Sequence, residues 1–450
     1  KSMLYALCFM HTIVQERRKF GPLGWNIPYE FTDGDRDVCL MQAKMLIDEY
    51  DEPPWKVLNI LTAVVNYGGR VTDTWDIRLI GNMLKAYLNE EITRDGYQFT
   101  ASGNYRSIDA EDRQGYLDYV SELPVNAAPE AFGLHENADI TCAQNETYEL
   151  FATILKLQPR QTSGGGKSRD EQIGDVASDI QTRVVPEFDF ESTVVKYPTK
   201  YEESMNTVLQ QEIVRYNKLL RVIHSSLKSI KKAIKGEVVM SEDLEQMGTS
   251  LFNNQVPTMW AEKAYPSLKP LAAWVNDLKE RTNFIQAWFD HGKPVTYWIS
   301  GFFFPQAFLT GTLQNYARVH QLPIDTISWG YAIVDEPHTE ITIAPEVGVY
   351  VYGLFIEGAS WDPLVKLMAE ARPKELYSSM PVINLQPTPN RIKPTTGVYT
   401  APTYKTVSRF GVLSTTGHST NYVMPIEIPT DKSESHWVNR GVALITQLRY

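Results

Sequence analysis

The segment Gln161, Thr162, Ser163, Gly164, Gly165, Gly166, Lys167 and Ser168 ends like a phosphate-binding loop, in which backbone amides cradle phosphate and a lysine reaches its oxygens. The pattern G-x-x-x-x-G-K-[ST] requires glycine where Gln161 stands, and helix and loop precede it instead of the strand that would aim the amides. Nucleotide binding is therefore not expected there, and Lys167 reads as a solvated cation. The eight histidines form no His-Glu-x-x-His array, so His135, His224, His320 and His418 read as loop, surface or packed side chains, not as metal ligands. Cys8, Cys39 and Cys142 are too few and too scattered for a disulfide framework or a spaced zinc site; they read as buried thiols in a reducing compartment. Glu111 with Asp112, and Asp335 with Glu336, pair carboxylates, but neighbouring acids point apart, and capping or solvated charge is expected. Ser300 and Ser414 lack the G-x-S-x-G elbow that activates a serine. No catalytic, cofactor-binding or metal-binding residue is assigned.

The elements around these residues set the frame. A chain of 450 residues, at about 150 per domain, suggests three units. Its net charge of -11 argues against a chain-wide nucleic-acid footprint and leaves room for local basic patches. The longest apolar runs, 298–304 and 347–356, fall short of the roughly 20 residues that cross a bilayer. The chain starts at Lys1 without an initiator methionine, and we expect a fragment of something longer.

Apolar periodicity predicts helices over 3–19, from Asp33 or Asp35 through Leu46, over 55–65, and from Asp73 or Thr74 to about 91, so the first hundred residues read as a helical bundle. The pattern fades between 93 and 129, where 109–123 holds a short helix and a boundary near 115–124 is expected; 145–157 supports a further helix. Leu209, Ile213, Tyr216, Leu220, Ile223, Leu227, Ile230 and Ile234 are spaced four and three apart, which predicts one long amphipathic helix. From Arg215 to Lys235 that helix carries seven Lys and Arg and no acid, a basic face open to solvation or to a regulatory contact. Trp260, Trp274 and Trp288, close to four helical turns apart, predict a packing stripe. Beyond His291 short extended runs dominate, at 295–299, 339–343, 347–355, 377–385, 422–428 and 442–448, with one helix over 306–320. The fold class is α+β and multidomain: a helical bundle, a helical region, then a β-rich, barrel-like cap able to transmit displacement across packed faces.

Four blocks carry a resemblance: QERRKFGPLGWNIPYEF from Gln15 to Phe31, NYGGRVTDTWDIR from Asn66 to Arg78, FGLHENADI from Phe132 to Ile140, and SGFFFPQAFLTGTLQNYAR from Ser300 to Arg318. Together they make the sequence resemble the C-terminal end of a dynein heavy chain, with wording closer to axonemal, inner-arm members than to cytoplasmic ones. The resemblance implies a helical lid of the sixth AAA+ unit over 1–115, and a C-terminal domain with a helical part over 116–294 and a β-rich part over 295–450. It implies a non-catalytic, structural and regulatory segment of an ATP-driven, minus-end-directed microtubule motor of cilia or flagella. ATP and Mg would then be bound by upstream AAA+ units, and no cofactor by this segment. The implied partners are the rest of the same ring, intermediate and light chains or other axonemal components, and the microtubule through a stalk outside this chain, with no nucleic acid and no membrane. The alternative is a non-motor protein-interaction scaffold; an independent enzyme ranks third.

Overall fold

The bundle begins with α1 (Ser2–Glu16), which buries Ala6, Leu7, Met10, Ile13 and Val14 on one face. A computed structural model describes residues 1–157, 167–412 and 417–450. The chain leaves α1 earlier than the predicted end at 19 and tightens into a 3-10 turn, Arg17–Leu23, broken at Gly21 with φ 56°. Thr32 caps α2 (Asp33–Glu49), and Asp35 reciprocates from the third helical position, so Asp35 serves the cap without being it. α3 (Trp55–Ile60) widens into a π-helical turn, Leu61–Asn66. Asp73 caps α4 (Thr74–Leu84), accepting from the backbone amides of Trp75 and Asp76; the helix ends short of the predicted 91. α5 (Arg113–Glu122) and α6 (Ala138–Leu157) follow, the latter starting ahead of the predicted 145.

The long stripe is realised in α9 (Ser204–Ile234), whose Leu209, Ile213, Tyr216, Leu220, Ile223, Leu227 and Ile230 are all 0 % exposed. Helices that apolar spacing did not single out, α7 (Arg169–Arg183), α8 (Phe190–Lys196) and α10 (Glu242–Phe252), pack around it. The tryptophan stripe is split: Trp260 lies on α11 (Thr258–Ala261), and Trp274 and Trp288 lie on α12 (Leu271–His291). Pro266 and Pro270 interrupt the helix between them. The packing still brings the Trp260 and Trp274 rings to 6.0 Å, and all three indoles are buried.

β1 (Thr296–Trp298) leads to α13 (Pro305–His320). The strands β2 (Ile327–Val334), β3 (Val349–Tyr352), β4 (Phe355–Glu357), β5 (Ala359–Asp362), β6 (Leu367–Glu370) and β7 (Tyr377–Ser379) come next. β8 (Val382–Pro389), β9 (Val398–Tyr404), β10 (Tyr422–Pro429), α14 (Glu434–Asn439) and β11 (Ala443–Ile445) follow. One sheet runs β1-β3-β8-β2, a second runs β10-β9-β11-β4-β7, and β5 pairs with β6 alone. Pairing is antiparallel except β1 with β3 and β9 with β11.

The class is α+β, but the described strands form separate sheets and no closed barrel. Residues 339–343, expected as a strand, are turn and irregular chain. The expected run 347–355 is cut at Gly353, whose φ of 85° turns the chain from the first sheet into the second. The run 377–385 is likewise divided before Pro381, which cannot donate to a ladder. β9 was obscured by Pro402, which pairs opposite Pro425 of β10. One apolar core is continuous from Leu7 of α1 through Leu220 of α9 to Leu444 of β11. Among the described residues no helix is long and apolar enough to cross a membrane.

Candidate functional site

Two seams carry buried charge. At the first, the helical bundle meets the second sheet and α14. Arg17 follows α1, is 0 % exposed, and donates to the carbonyls of Gly24 at 2.8 Å, Leu23 at 3.3 Å, Asn439 at 2.8 Å and Phe132. These carbonyls end turns and have no ladder to satisfy them, so a five-donor fork replaces the missing partners. Burial pushes the guanidinium down to about 9, with Asp76 opposing the fall, so it remains a cation at neutral pH. Gly441, with φ 66°, lies so close that a Cβ there would sit 2.3 Å from the Leu23 carbonyl oxygen.

Beneath Arg17, the Asp76 carboxylate accepts from Asn26 N at 3.1 Å, Ile27 N at 3.2 Å and the Tyr29 hydroxyl at 2.9 Å. Burial, reinforced by the neighbouring Asp73, pushes Asp76 up to about 7; burial also raises Asp73. Asn26 links these acids to the sheet, donating to Asp73 at 3.3 Å and accepting from Arg409 at 3.3 Å, while Arg409 pairs with the buried Glu357 of β4. Burial opposes charge on Arg409, but Glu357 together with Tyr404 and Tyr399 outweighs it and the guanidinium is raised. Nearer the surface, Arg78 donates to Thr400 O at 3.0 Å, the Tyr399 hydroxyl at 3.1 Å and Glu434 at 3.1 Å.

The second seam joins α9 and α12 to the segment that enters the sheets. Glu212 sits on the buried face of α9 and accepts from Phe303 N at 2.5 Å and Phe304 N at 3.0 Å. Burial raises it to about 7 although those two amides pull it down. Tyr216 donates to Gly301 O at 2.7 Å. Arg281 pairs with Asp277 at 2.6 Å, donates to the Ser300 carbonyl, and reaches the Ser300 hydroxyl at 3.0 Å. Asp277 also accepts from Gln447 at 3.0 Å, tying the last strand region to the same point.

Both seams saturate backbone groups and leave no nucleophile beside a free base; their geometry suits holding parts together. Lys167 pairs with Asp175 at 2.6 Å, and Ser168 caps α7, whose first turn carries Asp170 and Glu171. A helix start so acidic opposes phosphate, so these two residues do not fit a nucleotide site; residues 161–166 of the loop lie outside the described residues, as does Ser414. His224 contacts Val185 O at 2.9 Å, His135 accepts from Asn137 N at 3.2 Å, the His320 ring lies tilted against Tyr316, and His418 stacks on Tyr422. Asp112 caps α5, Asp335 pairs with Lys366, and Ser300 is held by Arg281. Cys39 is buried, whereas Cys8 and Cys142 are half-exposed, short of the expectation for all three. Among the described residues no group of three or more His, Cys, Asp or Glu is placed to hold a metal ion.

Sequence reasoning missed Arg17, Asp76, Glu212 and Arg281. One signal was legible: Glu212 falls on the apolar face between Leu209 and Ile213, where an acid must find donors. The four family-like blocks supply part of each seam: Arg17, Asn26, Asp76, Arg78, Phe132 and Phe303 lie in them, whereas Glu212, Arg281, Glu357 and Arg409 do not.

The family model of the AAA lid domain of dynein heavy chains matches residues 1–138, and that of the C-terminal domain of dynein heavy chains matches residues 144–446. The sequence is 54% identical over 451 residues to dynein axonemal heavy chain 1 of Homo sapiens, covering 100% of this chain and 11% of that protein. It is 48% identical over 448 residues to dynein axonemal heavy chain 3 of Homo sapiens, again 100% of this chain and 11% of the relative. Against dynein axonemal heavy chain 12 of Homo sapiens it is 45% identical over 451 residues, covering 100% of this chain and 14% of the relative. With two consecutive domain models of one family matching nearly every residue, the protein belongs to the dynein heavy chain family and carries its AAA lid and C-terminal domains.

Proposed function

We propose that this chain is a non-catalytic structural and regulatory segment of an ATP-driven, minus-end-directed microtubule motor of the ciliary or flagellar axoneme. In that reading it stabilises an AAA+ ring and tunes motor output. ATP and Mg belong to AAA+ units of the parent protein outside this segment. The partners are the rest of the same ring, intermediate and light chains or other axonemal components, and the microtubule through a stalk elsewhere in the parent protein. We carry the division into a lid over 1–115, a helical part over 116–294 and a β-rich part over 295–450 as part of the proposal. The β-rich part acts as a barrel-like cap: the edge strands β2 and β10 of its two sheets approach where Tyr331 donates to Pro425 O at 2.8 Å.

The observation that supports the reading is Arg17, one buried side chain that ties the end of α1, the Phe132 turn and α14 together. Close-packed parts joined by satisfied buried charge move as one body, which is what a ring needs to pass displacement from lid to cap. The test is truncation of the parent heavy chain near residue 290, alongside Arg78→Ala, which loosens the lid–cap seam at a site where the Arg78 side chain is 24% exposed. Truncation is expected to lower ring stability or change microtubule gliding velocity and force, and Arg78→Ala to change velocity with the ring intact. Assembly, velocity and force unchanged in both would sink the reading.

A further inference from the structure

The first third of α9 and α13 cross closely at Gly311, where an added Cβ would meet Met205 at 3.0 Å and Val208 at 3.2 Å. Beside this crossing runs an open groove of about 620 Å³, lined by Gln211, Gln306, Thr207, Thr310 and the cations Lys200 and Arg318, with no Asp or Glu among its lining residues. Gln306 gives its amide N–H to Tyr422 O at 2.8 Å, and its buried Oε1 has no donor. Phe304 forms the groove's far lip, and beyond it two more cations face the Phe304 ring: Arg215 at 5.0 Å and Lys405 at 5.7 Å. Neither has an ion-pair or hydrogen-bonding side-chain partner among the described residues, and the nearest acid, Glu212, is spent on the Phe303 and Phe304 amides. Burial opposes the charge on Lys405, so an approaching anion relieves a group that is already partly desolvated.

We propose that this groove docks an extended acidic segment of a separate polypeptide, with carboxylates at Lys200 and at the Arg215–Lys405 pair and main chain along the glutamines and threonines between them. Amide and hydroxyl side chains offer donors and acceptors in the alternation a peptide backbone presents. The groove's neutral polar side chains, Thr207, Gln211, Gln306, Thr310 and Gln314, outnumber its cations Lys200 and Arg318, which suits the polar main chain of a peptide better than the continuous charge of a polyphosphate.

The test is fluorescence anisotropy on the complete heavy chain with a labelled peptide of alternating Glu and Thr, a neutral control of alternating Gln and Thr, and inorganic polyphosphate as competitor. The acidic peptide binds and the neutral one does not. Arg215→Glu with Lys405→Gln weakens binding about tenfold, the equivalent of two surface charge contacts. Lys200→Glu, at an exposed position, weakens it less, and Lys228→Glu, farther along α9, leaves it unchanged. Equal binding of the neutral peptide, unchanged affinity in both groove variants, or polyphosphate competing as well as the acidic peptide overturns the proposal.

Discussion

Arg17 at the first seam and Glu212 at the second solve one problem with opposite charge. Where the bundle meets the second sheet, the loose ends are carbonyls, and the cation Arg17 collects four of them. Where α9 meets the entry to the sheets, the loose ends are the Phe303 and Phe304 amides, and the anion Glu212 collects both. The difference teaches that the polarity of a buried charge follows the polarity of the backbone it closes. In each case charge-assisted hydrogen bonds offset part of the desolvation cost, so the group works as a clasp and its removal strands the backbone groups around it.

The largest break is expected at the first seam. Arg17→Met keeps bulk and removes the fork, leaving four buried carbonyls unpaired; a loss of about 3–5 kcal/mol is expected. Urea unfolding should then resolve the bundle from the sheets as two transitions, and a loss below about 1 kcal/mol would show that the clasp is not what joins them. At the second seam Glu212→Ala strands two amides, for an expected loss of about 2–3 kcal/mol, while Glu212→Gln keeps one acceptor and loses about half as much. If the alanine variant at Glu212 costs more than Arg17→Met, the ranking by number of orphaned groups fails.

The smallest effect is a shared pH response. Asp76 and Glu212 are both raised to about 7 in the folded protein, against roughly 4 when unfolded. Between those values the folded state holds more protons, so each contributes stability at low pH that falls as pH rises toward 7. Between pH 5 and pH 6 each carboxylate should remove about 1 kcal/mol, and Asp76→Asn should flatten its share of the slope in urea titrations at the two pH values. Glu370, held down to about 2 first by its His436 hydrogen bond and also by Lys432 and Arg440, acts in the opposite sense at lower pH. Within the window His11 and His135, both lowered by burial, oppose the trend and Asp73, raised by burial, adds to it, so the difference between Asp76→Asn and the parent, not the parent slope itself, reads the Asp76 share. A steeper slope in Asp76→Asn than in the parent would show that the sign of this response is the reverse.

Much of the helical frame was legible because one face of a helix repeats every three to four residues, and α9 needed nothing else. α7 escaped notice because its buried set, Ile173, Ala177 and Ile180, is thin and set among polar residues. Gly330 in β2 and Pro402 in β9 hid two strands whose pairing is complete once the partner is present. The seams were the least legible, because a charged residue in a local pattern shows neither its burial nor its partner.

By itself the sequence determined the α-then-β order, the long amphipathic helix, the lack of a complete phosphate-loop pattern and the four blocks that mark the family. Tertiary structure alone decided what those blocks do. Arg17 closes carbonyls 115 and 422 residues away, and Glu212 closes amides 91 and 92 residues away. Periodicity reports which face of an element is apolar, whereas the partner of a buried charge is chosen by which unsatisfied backbone groups packing brings beside it.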